Sequence, residues 1–167
     1  MTQSMRTTIT LLGLGVLLVI AAVWGWSATM KPLPAKVDSP VCVDSPVSAG
    51  EKVYPQQVTV SVYNSGTREG LAGRTMQLLR DAGFSRGQAG NAASAKVDDV
   101  EIWTTTPDSP DVQLLATYLG DDVDIERREG PGVGVTIVVG DRFRNLAEGQ
   151  RSIVAEADAE ICSPPVA

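Results

Sequence analysis

The sequence has 167 residues and 43% apolar residues, room for one domain and a short accessory segment. It contains no histidine, which excludes an imidazole base and a histidine-ligated metal, and its two cysteines cannot build a four-cysteine zinc site or an iron–sulfur cluster. A net charge of −6 and a pI of about 4.6 argue against a general nucleic-acid binder.

From Thr7 to Met30 no residue is charged, between Arg6 and Lys31. A helix over this stretch is about 36 Å long, enough for a hydrocarbon core of about 30 Å with some tilt. Trp24 and Trp26 stand near its far end, where an aromatic belt belongs. Residues 1–30 are therefore expected to be a cytoplasmic stub and a single-pass signal anchor. A cleaved signal peptide is the alternative, because Gly25 and Ser27 form an acceptable small-residue pair. No cysteine follows closely enough for a lipoprotein. Arg6 on one side and Lys31 and Lys36 on the other leave the positive-inside rule nearly neutral. The cysteines orient the chain better. In a domain exported across the cytoplasmic membrane, Cys42 and Cys162 are most simply read as one disulfide, closing a loop of about 120 residues and adding on the order of 4 kcal/mol. Two buried thiols in a cytosolic domain are the other reading.

Residues 31–56 read as a Pro-rich linker, with Pro32, Pro34, Pro40, Pro46 and Pro55 and almost no hydrophobic periodicity. Asp38-Ser39-Pro40-Val41 recurs as Asp44-Ser45-Pro46-Val47. The remainder, 57–167, reads as a domain with a C-terminal extension. Val58, Val60 and Val62 alternate with Thr59 and Ser61, a half-buried strand. Asn64-Ser65-Gly66 is turn chemistry. Leu71, Thr75, Leu78 and Leu79 recur at helical spacing from about Gly70 to Ala82, and Gly83 stops the helix. Phe84 begins a short extended return, and the Gly/Ala/Asn/Ser stretch 87–95 reads as a loop. Val100 and Ile102 mark the next strand. Ser109 and Pro110 open a second helix through Leu114, Leu115 and Leu119, ended by Gly120. Val123 to Arg127 reads as a strand, Gly130-Pro131-Gly132 as a hairpin turn, and Val133 to Val139 as the most apolar strand. A short helix is expected within 145–162. The order gives an α/β sandwich with a doubled βαβ pattern, two helices covering one face of a four- to five-stranded sheet.

These residues carry a family resemblance. Val60-Ser61-Val62-Tyr63-Asn64, Gly70-Leu71-Ala72-Gly73-Arg74-Thr75, Leu78-Leu79 and Gly83-Phe84 resemble the opening of the LytR C-terminal domain. Val135-Thr136-Ile137-Val138-Val139-Gly140, with Asp141 and Phe143, resembles its close. The plan of membrane segment, Pro-rich linker, one such domain and a flanking cysteine pair is similar to that of actinobacterial envelope integrity proteins. The resemblance implies a cell-envelope role near peptidoglycan and its glycopolymers. It implies no catalytic residue.

Asn64, Ser65, Arg68 and Arg74 form the candidate ligand surface. The helix beginning near Gly70 offers unsatisfied N–H groups and a positive end, and Arg68 adds a guanidinium fork suited to a carboxylate or phosphate. The competing reading is that Asn64 and Gly66 only make the turn and that Arg68 is solvated. Gly70 to Thr75 is no P-loop, because that spacing needs Gly where Arg68 stands and Lys where Arg74 stands. Gly130, Gly132 and Gly134 precede a strand, not the helix that a dinucleotide site requires. Asp122, Asp124 and Glu126 share a strand face but lack EF-hand spacing, so no metal is assigned. Trp103 and Tyr118 are weighed as a sugar-stacking surface against core packing, with core favoured for Tyr118. No histidine activates a serine, and neither Lys52 nor Lys96 sits in a Ser–Lys motif. The expectation is a non-catalytic, cofactor-free envelope-integrity protein. Its extracytoplasmic module would bind a cell-wall polymer or an envelope partner protein. A structural or regulatory subunit of a membrane complex in wall assembly is the second expectation.

Overall fold

The computed structural model describes residues 3–29, 40–120 and 122–165. The chain divides into two compact units, Met1–Ser39 and Pro40–Ala167. The expected linker residues 31–39, with the first copy of the Asp-Ser-Pro-Val repeat up to Ser39, lie outside the described residues.

The first unit holds helix α1, Gln3–Thr29, of 27 residues. Its described side chains are Ile9 and those of residues 11–26. The large apolar ones are exposed on every side, from 50% at Ile20 to 76% at Trp24. Among the described residues, no helix is long and apolar enough to cross a membrane.

The second unit is an α/β fold built on a five-stranded sheet. In chain order come β1 (Val43–Val47), β2 (Lys52–Val53), a 3-10 turn (Pro55–Gln57), β3 (Thr59–Asn64), α2 (Leu71–Asp81) and β4 (Ser85–Asn91). Then follow β5 (Val100–Thr104), α3 (Pro110–Leu119), β6 (Asp124–Arg127), β7 (Val135–Val139), β8 (Ile153–Val154) and β9 (Ala159–Ser163). The sheet order is β4-β3-β7-β5-β6. β3 runs parallel to β4 and β7, β5 runs parallel to β6, and β5 meets β7 antiparallel. Helix α2 joins the parallel neighbours β3 and β4, and α3 joins β5 and β6.

Local chemistry explains the elements. Leu71, Ala72, Thr75, Met76 and Leu79 put one buried stripe on α2. Gly83, at φ +100°, ends that helix in a Schellman motif: the Gly83 N–H donates to the Arg80 carbonyl and the Phe84 N–H to the Leu79 carbonyl. Pro110 opens α3, where its missing N–H costs nothing. Val60, Val62, Ile102, Ile137 and Val139 face both helices in one buried cluster. The opposite face carries a smaller cluster of Val97, Trp103 and Val138, with Tyr63, Ala92 and Ala95 packed on it.

Four expectations need correction. The stretch expected as a spacer is structured from Val43 on, where β1 pairs with β9 and β2 with β8. Pro46 is tolerated in β1 because that ladder has only two strands. The stretch 87–95, expected as a loop, is strand to Asn91. Its glycines let it lie close: a Cβ at Gly87 would sit 2.8 Å from the Val60 carbonyl oxygen, and one at Gly90 would sit 2.9 Å from the Tyr63 ring. The glycines after β6 do not form a hairpin, because β5 lies between β6 and β7. The C-terminal helix expected within 145–162 is absent. Ile153 and Val154 form β8, and Ile161 is buried in β9 while Glu160 is exposed, an alternation of period two rather than 3.6.

The Cys42–Cys162 disulfide is present, with the two Cα atoms 5.4 Å apart and a sequence separation of 120. It joins the entry of β1 to β9. Replacing both cysteines with serine is expected to lower unfolding free energy by about 4–5 kcal/mol on the chain-entropy scale, read from urea unfolding. Amides of β1 and β9 should lose hydrogen-exchange protection before those of β3 and β7. An unchanged urea midpoint would contradict this.

Buried Asp111 begins α3, accepting the Ser109 hydroxyl and, at 3.0 Å, the Val112 N–H. Burial is the largest influence and raises its pKa despite these bonds. A raised carboxyl pKa means a stability penalty that is absent below the unfolded value and complete above the folded one. Asp111→Asn should therefore melt higher than wild type at neutral pH, with the gap closing as pH falls towards the ordinary aspartate range. Melting curves across pH check the sign.

Candidate functional site

The chain must turn between Asn64, the end of β3, and Leu71, the start of α2. Asn64 organises this turn. Its Oδ1 accepts the Gly66 N–H at 2.9 Å, and its Nδ2 donates to the Arg68 carbonyl at 2.8 Å. The Ser65 hydroxyl is placed between the Val97 carbonyl at 3.1 Å and the Val139 carbonyl at 3.3 Å. The Ser65 N–H also donates to Val139, at 2.9 Å. The turn is thereby tied to the end of β7.

Asp141, just beyond β7, occupies the concavity of the turn. Its Oδ1 accepts the N–H groups of Thr67 at 2.9 Å and Arg68 at 3.0 Å, and its Oδ2 accepts the Thr67 hydroxyl at 3.0 Å. Gly66 leaves room for it; a Cβ there would lie 2.7 Å from the carboxyl carbon. The Thr67 N–H first and the Arg68 N–H second hold the Asp141 pKa below the usual carboxylate range, and the Arg68 charge adds to this. These two N–H groups, in the turn before α2, are occupied by the chain's own carboxylate, whereas the first N–H groups of α2 itself, those expected to face an anion, carry no side-chain cap.

Arg68 is half-buried rather than solvated. Its Nη1 donates to the Phe143 carbonyl at 2.8 Å and the Asp141 carbonyl at 3.3 Å. Arg144 reaches the same two oxygens, with its Nη1 at 2.6 Å from Asp141 and 3.2 Å from Phe143. Arg142 pairs with Asp98 at 3.2 Å, the one ion pair found among the described residues. Asn64, Ser65 and Arg68 thus share one hydrogen-bonded junction. Arg74 stands exposed on α2, outside that set of bonds.

The remaining candidates separate. Trp103 is buried, donates from Nε1 to Glu101 at 3.0 Å, and carries the Arg128 guanidinium 3.8 Å from its ring centroid. It is part of the packed back face. Tyr118 meets Phe84 edge-on at 5.0 Å beside the main cluster. Among the described residues no three Asp, Glu or Cys side chains are grouped to hold a metal ion, and Asp122, Asp124 and Glu126 are not brought together. A cleft of about 430 Å³ at the start of α3 is lined by Asp108, Glu156, Asp158 and Glu160, with Arg127 as its one basic residue. A second, of about 630 Å³, runs beside Arg142 and Arg144. Asp141 and Arg144 are the members that sequence reasoning missed. The signal for Arg144 was its place in the segment after the apolar strand Val135–Val139, among Arg142, Phe143 and Asn145.

The model of a family described as LytR cell envelope-related transcriptional attenuator matches residues 57–143. Among solved structures, the chain is similar to the soluble domain of a conserved hypothetical secreted protein from Mycobacterium marinum. The two are 24% identical, the match covers 60% of this chain and 77% of that one, and the TM-score is 0.43. No curated protein matches the sequence.

Asp141→Ala should free the Thr67 and Arg68 amides, read as faster hydrogen exchange there. A lowered folded pKa gives stability that is present above the unfolded aspartate value and lost as pH falls through the folded one. The stability gap between wild type and variant should hold at neutral pH and close in acid. A gap that widened in acid would contradict the assignment.

Proposed function

The chain belongs to the LytR C-terminal family of cell envelope-related proteins, and from that premise we propose that it is a non-catalytic envelope-integrity module, held at the cytoplasmic membrane with its α/β domain outside. The family match over residues 57–143 carries this reading. The Cys42–Cys162 disulfide supports an oxidising, extracytoplasmic location for the domain. The anchor rests on the uncharged run from Thr7 to Met30, whose ends extend past the described side chains of α1. α1 is apolar on all sides, unlike a surface helix with one buried stripe.

In this reading the domain contacts a cell-wall polymer or an envelope partner protein. The β3–α2 junction, with Asn64, Ser65 and Arg68, and Arg74 on the neighbouring helix, is the proposed contact face. Its backbone is stiffened by Asp141, so that the half-buried Arg68 guanidinium is held in place before any ligand arrives.

Full-length chain in non-ionic detergent is expected to co-sediment with isolated wall sacculi and to be released by salt. In cells it should stay with membranes after alkaline carbonate extraction, and protease added outside should remove the domain. Failure to sediment with sacculi, with or without attached glycopolymer, would overturn wall binding and leave a protein partner. Release by carbonate would overturn the anchor.

A further inference from the structure

Arg68 lies in the β3–α2 turn and Arg144 lies after β7, yet both guanidinium groups converge on the carbonyl oxygens of Asp141 and Phe143. Sharing both acceptors holds the two Nη1 atoms within roughly 6 Å of each other, where like charges repel. No acid among the described residues forms an ion pair with either guanidinium, although the Arg68 charge reaches the Asp141 carboxylate. Among the described residues neither side chain has a carboxylate within ion-pair distance, and the neighbouring Arg142 already takes Asp98. The oxygens of Asp141 are spent on Thr67 and on the Arg68 backbone N–H. Each guanidinium offers five donors, and the bonds described use only Nη1, so Nε and Nη2 of both side chains are left over. Arg144 is exposed, so these donors are open to solvent. Two cations drawn together by backbone carbonyls, in a chain of net charge −6, are an arrangement that an oxygen-rich anion completes.

We propose that Arg68 and Arg144 together form a binding site for a phosphate-type oxyanion. The proposal deepens the envelope reading, on which it rests only for the source of the phosphate, a phosphodiester-linked wall polymer. The Thr67 and Arg68 N–H groups take no part, because Asp141 fills them. The site is made of side-chain edges beside the junction, and Arg144 is as necessary to it as Arg68.

The test uses the full-length chain in non-ionic detergent, titrated calorimetrically with inorganic phosphate, with a glycerol-phosphate oligomer, and with phosphatidylglycerol added to the micelles. Saturable phosphate binding that weakens with sodium chloride is expected. Arg144→Gln should weaken it about tenfold, and Arg86→Gln, an exposed arginine on β4, should leave it unchanged. Arg68→Gln should do the same as Arg144→Gln. Because Arg68 also braces the junction, Arg144→Gln and the charge-keeping Arg144→Lys are the deciding variants, each with its melting temperature matched to wild type. Arg144→Lys should retain most of the binding. A tighter fit to the oligomer than to phosphate identifies the polymer as source, and a preference for the lipid micelle identifies a headgroup; both support the site. Absence of saturation in wild type, or Arg144→Gln binding phosphate as well as wild type, overturns it. Sedimentation with sacculi is read separately, so loss of the phosphate site would leave the envelope reading standing.

Discussion

Strand β7 is where the two halves of the domain meet, parallel to β3 on one side and antiparallel to β5 on the other. All five of its residues, Val135 to Val139, are buried, so both faces of the sheet must be covered at this strand. The helices cover one face through Ile137 and Val139. The other face is covered by connecting segments, and that requirement explains the glycines after β6. To reach β7 the chain has to pass beyond β5, and Gly132 comes so close to Tyr63 that a Cβ would lie 3.0 Å from the ring. Side chains there would lift the connection off the sheet. The cost of this cover is visible at Thr136, whose hydroxyl is buried without a partner. Such a group costs about 1–3 kcal/mol.

The same strand delivers Asp141 to the β3–α2 turn. The carboxylate replaces an external anion at the N–H groups of Thr67 and Arg68, and it couples the end of β7 to the start of α2. The donors in that coupling are backbone groups of a turn already held by Asn64 and Ser65. It also fixes what chemistry is left at the junction. The Thr67 and Arg68 N–H groups are taken, and beside them stand the edges of the arginine side chains.

Apolar patterning carried the sequence reading of three elements, although β7 is buried on both faces and β3, expected half-buried, is buried on both as well. The α2 stripe, the alternation in β3 and the apolar run of β7 were legible from residue order alone. The same signals are weak elsewhere. β4 is an edge strand of Gly, Ala, Gln and Asn whose order comes from parallel pairing with β3, a partner invisible to local composition. β1 and β9 are distant in sequence and pair only with each other, so neither end announces its partner apart from the cysteines. At the site, Asn64-Ser65-Gly66 spelled out the turn, but nothing local shows that Asp141 fills it.

The accessory ladder bears on how the domain is held. The chain enters this unit at Pro40, two residues before Cys42. A two-stranded ladder is marginal in water on its own, and β1 could be peeled from β9 one pair at a time. The disulfide closes the ladder at its entry end, next to the Val43–Ser163 pair. A pull applied at Pro40 would then pass across the Cys42–Cys162 bond into β9 instead of opening β1. β9 is itself seated by Ile161 in the main cluster and by the Ser163 hydroxyl, which donates to the Gln57 carbonyl at 2.8 Å. The load reaches the turn that precedes β3 with the five-stranded sheet still closed. For the anchored module proposed above, the position of the cysteines supplies that route.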